Sequence, residues 1–393
     1  MTANTTRFHH ATIILFSLLI VLAVQIPTDI YMPSFPAIIK HFKISNSLMQ
    51  YTVTLYMFLY GISHFIYGPL LDRYGRRRVI ILASFLFALG TLVCGFANSI
   101  GLFFLGRIIQ GLCAGAFSTT SRALLRDCFS HHKLAHASST LSMVFAVVPP
   151  MAPILGGYLQ VNFGWRSVFF FLSSYVFLVC VLLLFFLPET LSEKEKTIHL
   201  KKIIMDYKKI IFHSIFLRYA LCSSLALAGI IVYVIESPFY FQQKLGLSPV
   251  TYGFLFLATA LSLSFGAFLN RRLVKKTISL ERLIFSGSFI MILTSIGMFS
   301  ALALGYSTVW SVLLFMMFYM VGAGLIFANS FSLALSHLEK GIGMGASAYG
   351  ALQMICVGIL TSLIVQFTGN AQLIIAGTIT TISIFIFALS MTQ

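Results

Sequence analysis

Long apolar runs separated by short polar breaks occupy nearly the whole of the 393-residue chain. Twelve runs can be cut at the breaks, over residues 11–38, 48–70, 79–97, 99–124, 136–161, 165–187, 216–241, 249–270, 283–304, 308–335, 345–367 and 370–391. Each has about the 20 residues that a helix needs to cross roughly 30 Å of hydrocarbon. None alternates apolar and polar positions as a lipid-facing strand does, so a closed barrel is disfavoured. The pattern predicts an all-α membrane protein with twelve transmembrane helices. Further spans follow the first run, which has no small-residue cleavage site, so it reads as a retained helix and not a cleaved signal peptide.

The pattern breaks once at length, in the segment PETLSEKEKTIHLKKIIMDYKKIIFHS after the sixth span. Within it Leu200, Ile203, Ile204, Tyr207, Ile210 and Ile211 recur at helical spacing, with Lys201, Lys202, Lys208 and Lys209 on the other face. That is the pattern of a basic amphipathic helix lying on the cytoplasmic membrane surface. The expected organisation is a six-helix bundle over residues 1–187, a linker over 188–215 and a second six-helix bundle over 216–393. Two parallel repeats with a shared central cavity follow from that division.

Composition agrees and charge adds orientation. The chain is 59% hydrophobic and only 9% charged, more apolar surface than a soluble domain can hide. A net charge of +16 raises the question of nucleic acid, which its distribution answers. With the first loop outside, twenty-one of the 26 Lys and Arg residues fall on one side. Only Lys40, Lys43, Arg166 and Lys244 fall on the other, and Arg107 is left inside a span. This is the positive-inside bias, with both termini cytoplasmic and no nucleic-acid partner.

Several classes of chemistry are disfavoured. Cys94, Cys113, Cys128, Cys180, Cys222 and Cys356 are scattered without metal spacing, so no metal and no cofactor are expected. His132 and His136 are four apart, but interfacial packing explains the His131-His132 pair better than a metal does. No G-x-x-x-x-G-K-[ST] loop exists for an ATP-driven pump, and no catalytic Ser/His/Asp constellation or extramembrane domain suggests an enzyme.

Charged groups at membrane depth are expensive and mark function by default. Asp29 is the sole charge between Ala11 and Ile39, and Glu236 lies at similar depth in span seven. They are the only two of ten acids assigned to the membrane, each followed by a proline, Pro33 and Pro238. A carboxylate there must be protonated, paired or wetted, which suits proton coupling; Glu236 at the outer mouth of its span is the alternative. Arg107, with Gln110 one turn on, needs a partner or a polar cavity, or else snorkels to the outer interface. Tyr31, Met32, Tyr56, Tyr60, Tyr233, Phe239 and Tyr240 are candidates for an adaptable substrate pocket, or simply for packing.

Three motifs carry a resemblance. The loop Gly68-Pro69-Leu70-Leu71-Asp72-Arg73-Tyr74-Gly75-Arg76-Arg77-Arg78 resembles, almost position for position, the signature loop of the major facilitator superfamily. Leu105-Gly106-Arg107-Ile108-Ile109-Gln110-Gly111 is similar to its R-x-x-q-G element in span four. Ala152-Pro153-Ile154-Leu155-Gly156-Gly157 looks like the antiporter motif G-P-x-x-G-G, with Ala for the first Gly. With Asp29-Ile30-Tyr31-Met32-Pro33-Ser34-Phe35-Pro36, these look most like the Bcr/CflA branch of drug:proton antiporters.

The resemblance implies the major facilitator fold and proton-driven efflux of small amphipathic molecules across a bacterial inner membrane by a monomer. A proton-coupled importer or exporter of one metabolite or siderophore is the alternative. It also implies a cytoplasmic gate of Gly68, Asp72, Arg73, Gly75 and Arg76, with Asp72 meeting the start of span eleven near Gly343–Gly345. Arg107 would communicate with Asp29; Pro153, Gly156 and Gly157, by their freed carbonyls and small size, read as a tight, leak-limiting seam, with plain helix packing as the alternative. In the second half Asn270 stands where the gate aspartate would be, so closure is expected to be asymmetric.

Overall fold

The computed structural model describes residues 10–129, 131–191, 200–306, 308–338, 342–367 and 369–391. Both termini, the first part of the linker and the side chains of His131, His132, His136 and Pro149 lie outside the described residues. The first half comprises α1 (His10–Asp29), α2 (Phe35–Phe42), α3 (Asn46–Tyr74), α4 (Arg76–Phe96), α5 (Ile100–Cys128), α6 (His131–Phe163) and α7 (Trp165–Phe186). The linker helix α8 (Leu200–Ile211) follows. The second half comprises α9 (Ser214–Pro238), α10 (Pro249–Lys275), α11 (Leu280–Ala303), α12 (Val309–Leu335), α13 (Ile342–Ile364) and α14 (Ala371–Met391).

Ten spans among the described residues are long and apolar enough to cross a membrane, with α1 and α2 counting as one. α3 and α6, of 29 and 33 residues, match them in length and join the two halves. α3 runs along α13 and α6 runs along α10, while every other extensive helix pairing stays within one half. These two seams need close backbone approach. A Cβ on Gly61 of α3 would meet the Ile355 backbone at 2.7 Å, and one on Gly358 of α13 would meet Phe58 at 2.8 Å. Small residues supply that closeness in membranes because lipid offers no hydrophobic drive for helices to associate. On the apolar face of α8, Tyr207 is buried edge-on against Phe65 of α3, while Ile204 is exposed.

The first span departs from the single continuous helix expected from its sequence. It ends at Asp29, makes a short 3-10 turn over Met32–Ser34 and resumes as α2. Proline is the reason. Pro33 has no N–H to give the Asp29 carbonyl and Pro36 none for that of Met32, so two consecutive turns lose their ladder. The seventh span behaves alike: α9 ends at Pro238 and continues as a π-helical turn over Phe239–Lys244. Both acids therefore sit at helix breaks, on corresponding spans of the two halves. Breaks of this kind at membrane depth are tolerated only where protein or a cavity covers the freed backbone.

Candidate functional site

Asp29 occupies the last position of α1, half-buried, with Pro33 freeing its own carbonyl. Among the described residues it has no ion pair within 4 Å. Its electrostatic neighbours are the phenols of Tyr31 and, across the seam on α10, Tyr252, whose hydroxyl is 2.9 Å from Ser237 Oγ. Gly156 of α6 lies directly against the carbonyl of Ile30, and a Cβ on Gly157 would meet the carbonyl of Pro249 at 2.7 Å. Pro153 itself is buried, with its carbonyl 2.8 Å from where a Gly253 Cβ would stand. The proline–glycine motif is thus a three-way junction of the α1 break, α6 and α10. The sequence places it in a seam; the structure adds that this seam touches the backbone of Ile30, the residue after the acid.

Arg107 is wholly buried, which disposes of snorkelling to the outer surface. The expected pairing with Asp29 is not formed. Its Nε donates to the Thr52 carbonyl at 3.3 Å and its Nη1 to Gln110 Oε1 at 2.8 Å. Gln110 in turn donates to Thr91 Oγ1 at 2.7 Å. The guanidinium lies over the rings of Tyr31 (4.7 Å) and Tyr56 (4.4 Å), while Nη2 is buried without a partner. Ring faces and carbonyls hold the cation where a carboxylate would otherwise be needed. Tyr56 donates to the Val24 carbonyl at 3.2 Å, and the Tyr31 hydroxyl is 3.4 Å from Thr52 Oγ1, so the cluster clamps α1 onto α3 and α5.

Glu236 is 4% exposed and accepts from Gln50 Nε2 at 2.8 Å across the two halves. Gln50 lies one turn into α3 from its outer end, and Asn46 on the preceding turn donates to Gln243 at 3.5 Å. Phe35 of α2 faces Phe239 with ring centroids 6.0 Å apart. These contacts join the two halves around Glu236, at the end of α3 opposite the signature segment. Gln50 is a partner that sequence reading missed, since one amide in an apolar run carries no pairing signal.

The remaining pocket candidates have mixed surroundings. Met32 and Tyr233 are wholly buried. Tyr60 stacks on His64 at 4.9 Å. Tyr240 donates to the Thr308 carbonyl at 2.9 Å, anchoring the π-helical turn within the second half.

The signature segment is mostly helix. Gly68 and Asp72 belong to the last turns of α3, so Gly68 makes no turn; a Cβ there would touch only the Tyr207 hydroxyl at an ordinary 3.5 Å. Gly75 alone turns the chain, at φ +95°. Arg76 is the hub. Its Nη1 donates to Asp72 Oδ1 at 2.6 Å and its Nε to Asp127 Oδ2 at 3.2 Å, while its backbone N–H donates to Glu189 Oε1 at 2.8 Å. Arg73 lies over the Tyr74 ring at 5.1 Å. Among the described residues no ion pair or hydrogen bond joins Asp72 to α13; its half-exposed side chain lines one cavity together with Gly343, Met344, Ala346 and Ser347. Asp127 and Glu189 were not anticipated, because both lie far from the loop in sequence. In the second half Asn270 exchanges hydrogen bonds with Asn329, at 2.7 and 3.4 Å, tying α10 to α12.

Gly75→Ala is expected to destabilise the protein by about 1–3 kcal/mol, because a side chain is strained at that φ. The added methyl would also fall on the Glu189 carboxyl. Thermal unfolding in detergent checks this, and Gly377→Ala, at an α14 position with open space around it, is the control expected to be neutral.

Comparisons with known proteins agree with this geometry. A family model described as the Major Facilitator Superfamily matches residues 17–365. The chain is 30% identical to a bicyclomycin resistance protein homolog of Haemophilus influenzae, over 86% of this chain and 84% of that protein. It is 28% identical to multidrug resistance protein D of Escherichia coli, over 93% and 91%. Among solved structures, a D-xylose-proton symporter superposes with a TM-score of 0.77 at 17% identity, covering 96% of this chain and 97% of the other, a likeness of fold. The family match runs from within α1 to the end of α13 and takes in both halves and every motif described above; the chain belongs to the major facilitator superfamily.

Proposed function

We propose that this protein exports small amphipathic, drug-like molecules in exchange for protons, by alternating access of a central cavity. The observation that carries the reading is Asp29: a carboxyl at a helix break, free of any ion pair among the described residues, against a proline–glycine junction. An uncompensated carboxylate at that depth is expensive unless it takes up a proton. The resistance relatives support export as the direction.

In this scheme Asp29 carries the proton and Arg107 holds the surrounding framework. Glu236 latches the outer side through Gln50. Tyr31, Met32, Tyr56, Tyr60, Gln110, Tyr233 and Phe239 line the path that opens when the latch releases, and Tyr240 anchors the moving π-helical turn. Gly68, Asp72, Arg73, Gly75 and Arg76 gate the cytoplasmic side, with Asp72 docking on the start of α13 when that side shuts. The working unit is a monomer in a bacterial cytoplasmic membrane, with both termini cytoplasmic, an N-terminal bundle over 1–187, a linker over 188–215 and a C-terminal bundle over 216–393.

Everted membrane vesicles with an imposed acidic lumen test this. A transported drug should alkalinise the lumen as protons leave in exchange; further acidification on adding substrate would mean symport and overturn the proposal.

A further inference from the structure

On the cytoplasmic side, α3, α5, α8 and α13 surround a cavity of about 170 Å³. Arg122 and Arg126 of α5 both line it. Among the described residues neither has a carboxylate within 4 Å; Arg122 Nε reaches only the Ser118 carbonyl, at 3.2 Å. One turn apart on the same helix face, the two cations repel each other. Arg126 also lies against Gly343, where an added Cβ would meet its Nη1 and Nη2 at 2.5 and 2.7 Å. That is the first turn of α13, whose peptide dipoles present further positive charge.

Asp72 is the only acid in the lining, and it is engaged by Arg76, which is itself shared with Asp127. Among the described residues the buried Thr119 hydroxyl has no hydrogen-bond partner, and Tyr207 and Ser347, whose hydroxyls face each other, also line the space. Positive charge and donors thus outnumber the acceptors around one small space.

We propose that this cavity is a binding site for a phosphoryl oxyanion, held by Arg122 and Arg126. Guanidinium groups match phosphate oxygens in forked pairs, and the hydroxyls of Thr119, Tyr207 and Ser347 complete a ring of donors. Size decides the class. At ~30 Å³ per water the cavity holds roughly five waters, enough for one phosphoryl group and below the ~300 Å³ of a drug-sized pocket. The arginines belong to one half and Gly343 to the other, so an occupying anion bridges the halves in the arrangement with the outer side closed. The phosphoryl group comes either from cytosolic phosphate or from an anionic phospholipid headgroup, which the basic face of α8 would keep close.

The test uses purified full-length protein and reads binding alone, so its failure would leave the transport proposal untouched. Thermal unfolding is followed in detergent with added inorganic phosphate, and in phosphatidylcholine nanodiscs with or without phosphatidic acid. Stabilisation by inorganic phosphate identifies the soluble source; stabilisation by phosphatidic acid alone identifies the headgroup. In either case Arg122→Gln and Arg126→Gln should each weaken the apparent affinity about tenfold, the loss of one charge-assisted pair. Arg271→Gln, on the exposed end of α10, should leave it unchanged. Should either glutamine variant fold poorly, Arg122→Lys and Arg126→Lys keep the charge but lose the fork, and should bind measurably less tightly than wild type. No stabilisation by either ligand, or glutamine variants that respond as wild type does, overturns the proposal.

Discussion

Asp29→Asn is expected to abolish substrate-driven proton movement in everted vesicles, by roughly tenfold or more, while leaving the protein folded. The amide has nearly the shape of the acid but cannot take up a proton. Because Asp29 has no ion pair among the described residues, the change strands no buried counter-charge. Removing an uncompensated charge from an apolar setting is neutral or stabilising, so the unfolding temperature should hold or rise. Loss of coupling with retained stability separates a proton carrier from a structural acid, for which both would fall. Retention of full proton-driven transport by Asp29→Asn would end the assignment. Glu236→Gln provides the contrast. Its carboxyl accepts a hydrogen bond from Gln50, and a glutamine can still accept one through its amide oxygen. We expect coupling to survive there, with the effect confined to how firmly the outer side closes, measured by cysteine accessibility at Asn46 and Gln243.

Gly156→Val has the second large expected effect, and its origin is steric. A Cβ on Gly156 would fall on the Ile30 carbonyl, one residue after Asp29, and the atoms it would strike first are backbone. Overpacking commonly costs 1–3 kcal/mol where side chains can adjust, and about that or more is expected where backbone must shift. The displaced segment is the α1 break, so transport should fall even in membranes where the variant still assembles. Gly157→Ala meets the Pro249 carbonyl at 2.7 Å and should show a milder form of the same defect. Expression level, detergent unfolding temperature and vesicle transport, compared with Gly377→Ala, check the order: Gly156→Val worst, Gly157→Ala intermediate, Gly377→Ala like wild type.

Much of this architecture was legible from the chain. Twelve apolar runs, a basic amphipathic linker and the positive-inside bias follow from one rule: hydrocarbon does not hydrate peptide groups or charges. That rule acts on each segment by itself, so local composition carries it. The same logic marks Asp29, Glu236 and Arg107 as exceptions, because each is an expensive residue in its own run. The basic linker helix was likewise visible, since its 3.6-residue period lies wholly within one segment.

What only the tertiary structure decided is which exceptions meet. Arg107 and Asp29 were expected to communicate, yet the guanidinium is held by Tyr31, Tyr56, the Thr52 carbonyl and Gln110. Glu236 finds Gln50, 186 residues away in the chain, and Arg76 gathers Asp127 from α5 and Glu189 from the segment after α7. Gly156 is a small residue in sequence and becomes a contact with the Ile30 carbonyl, next to the acid, only when α6 closes on the α1 break. The physical reason is range. Membrane insertion is a sum over neighbouring residues, whereas hydrogen bonds and close packing act over a few ångströms between helices whose register no single run encodes.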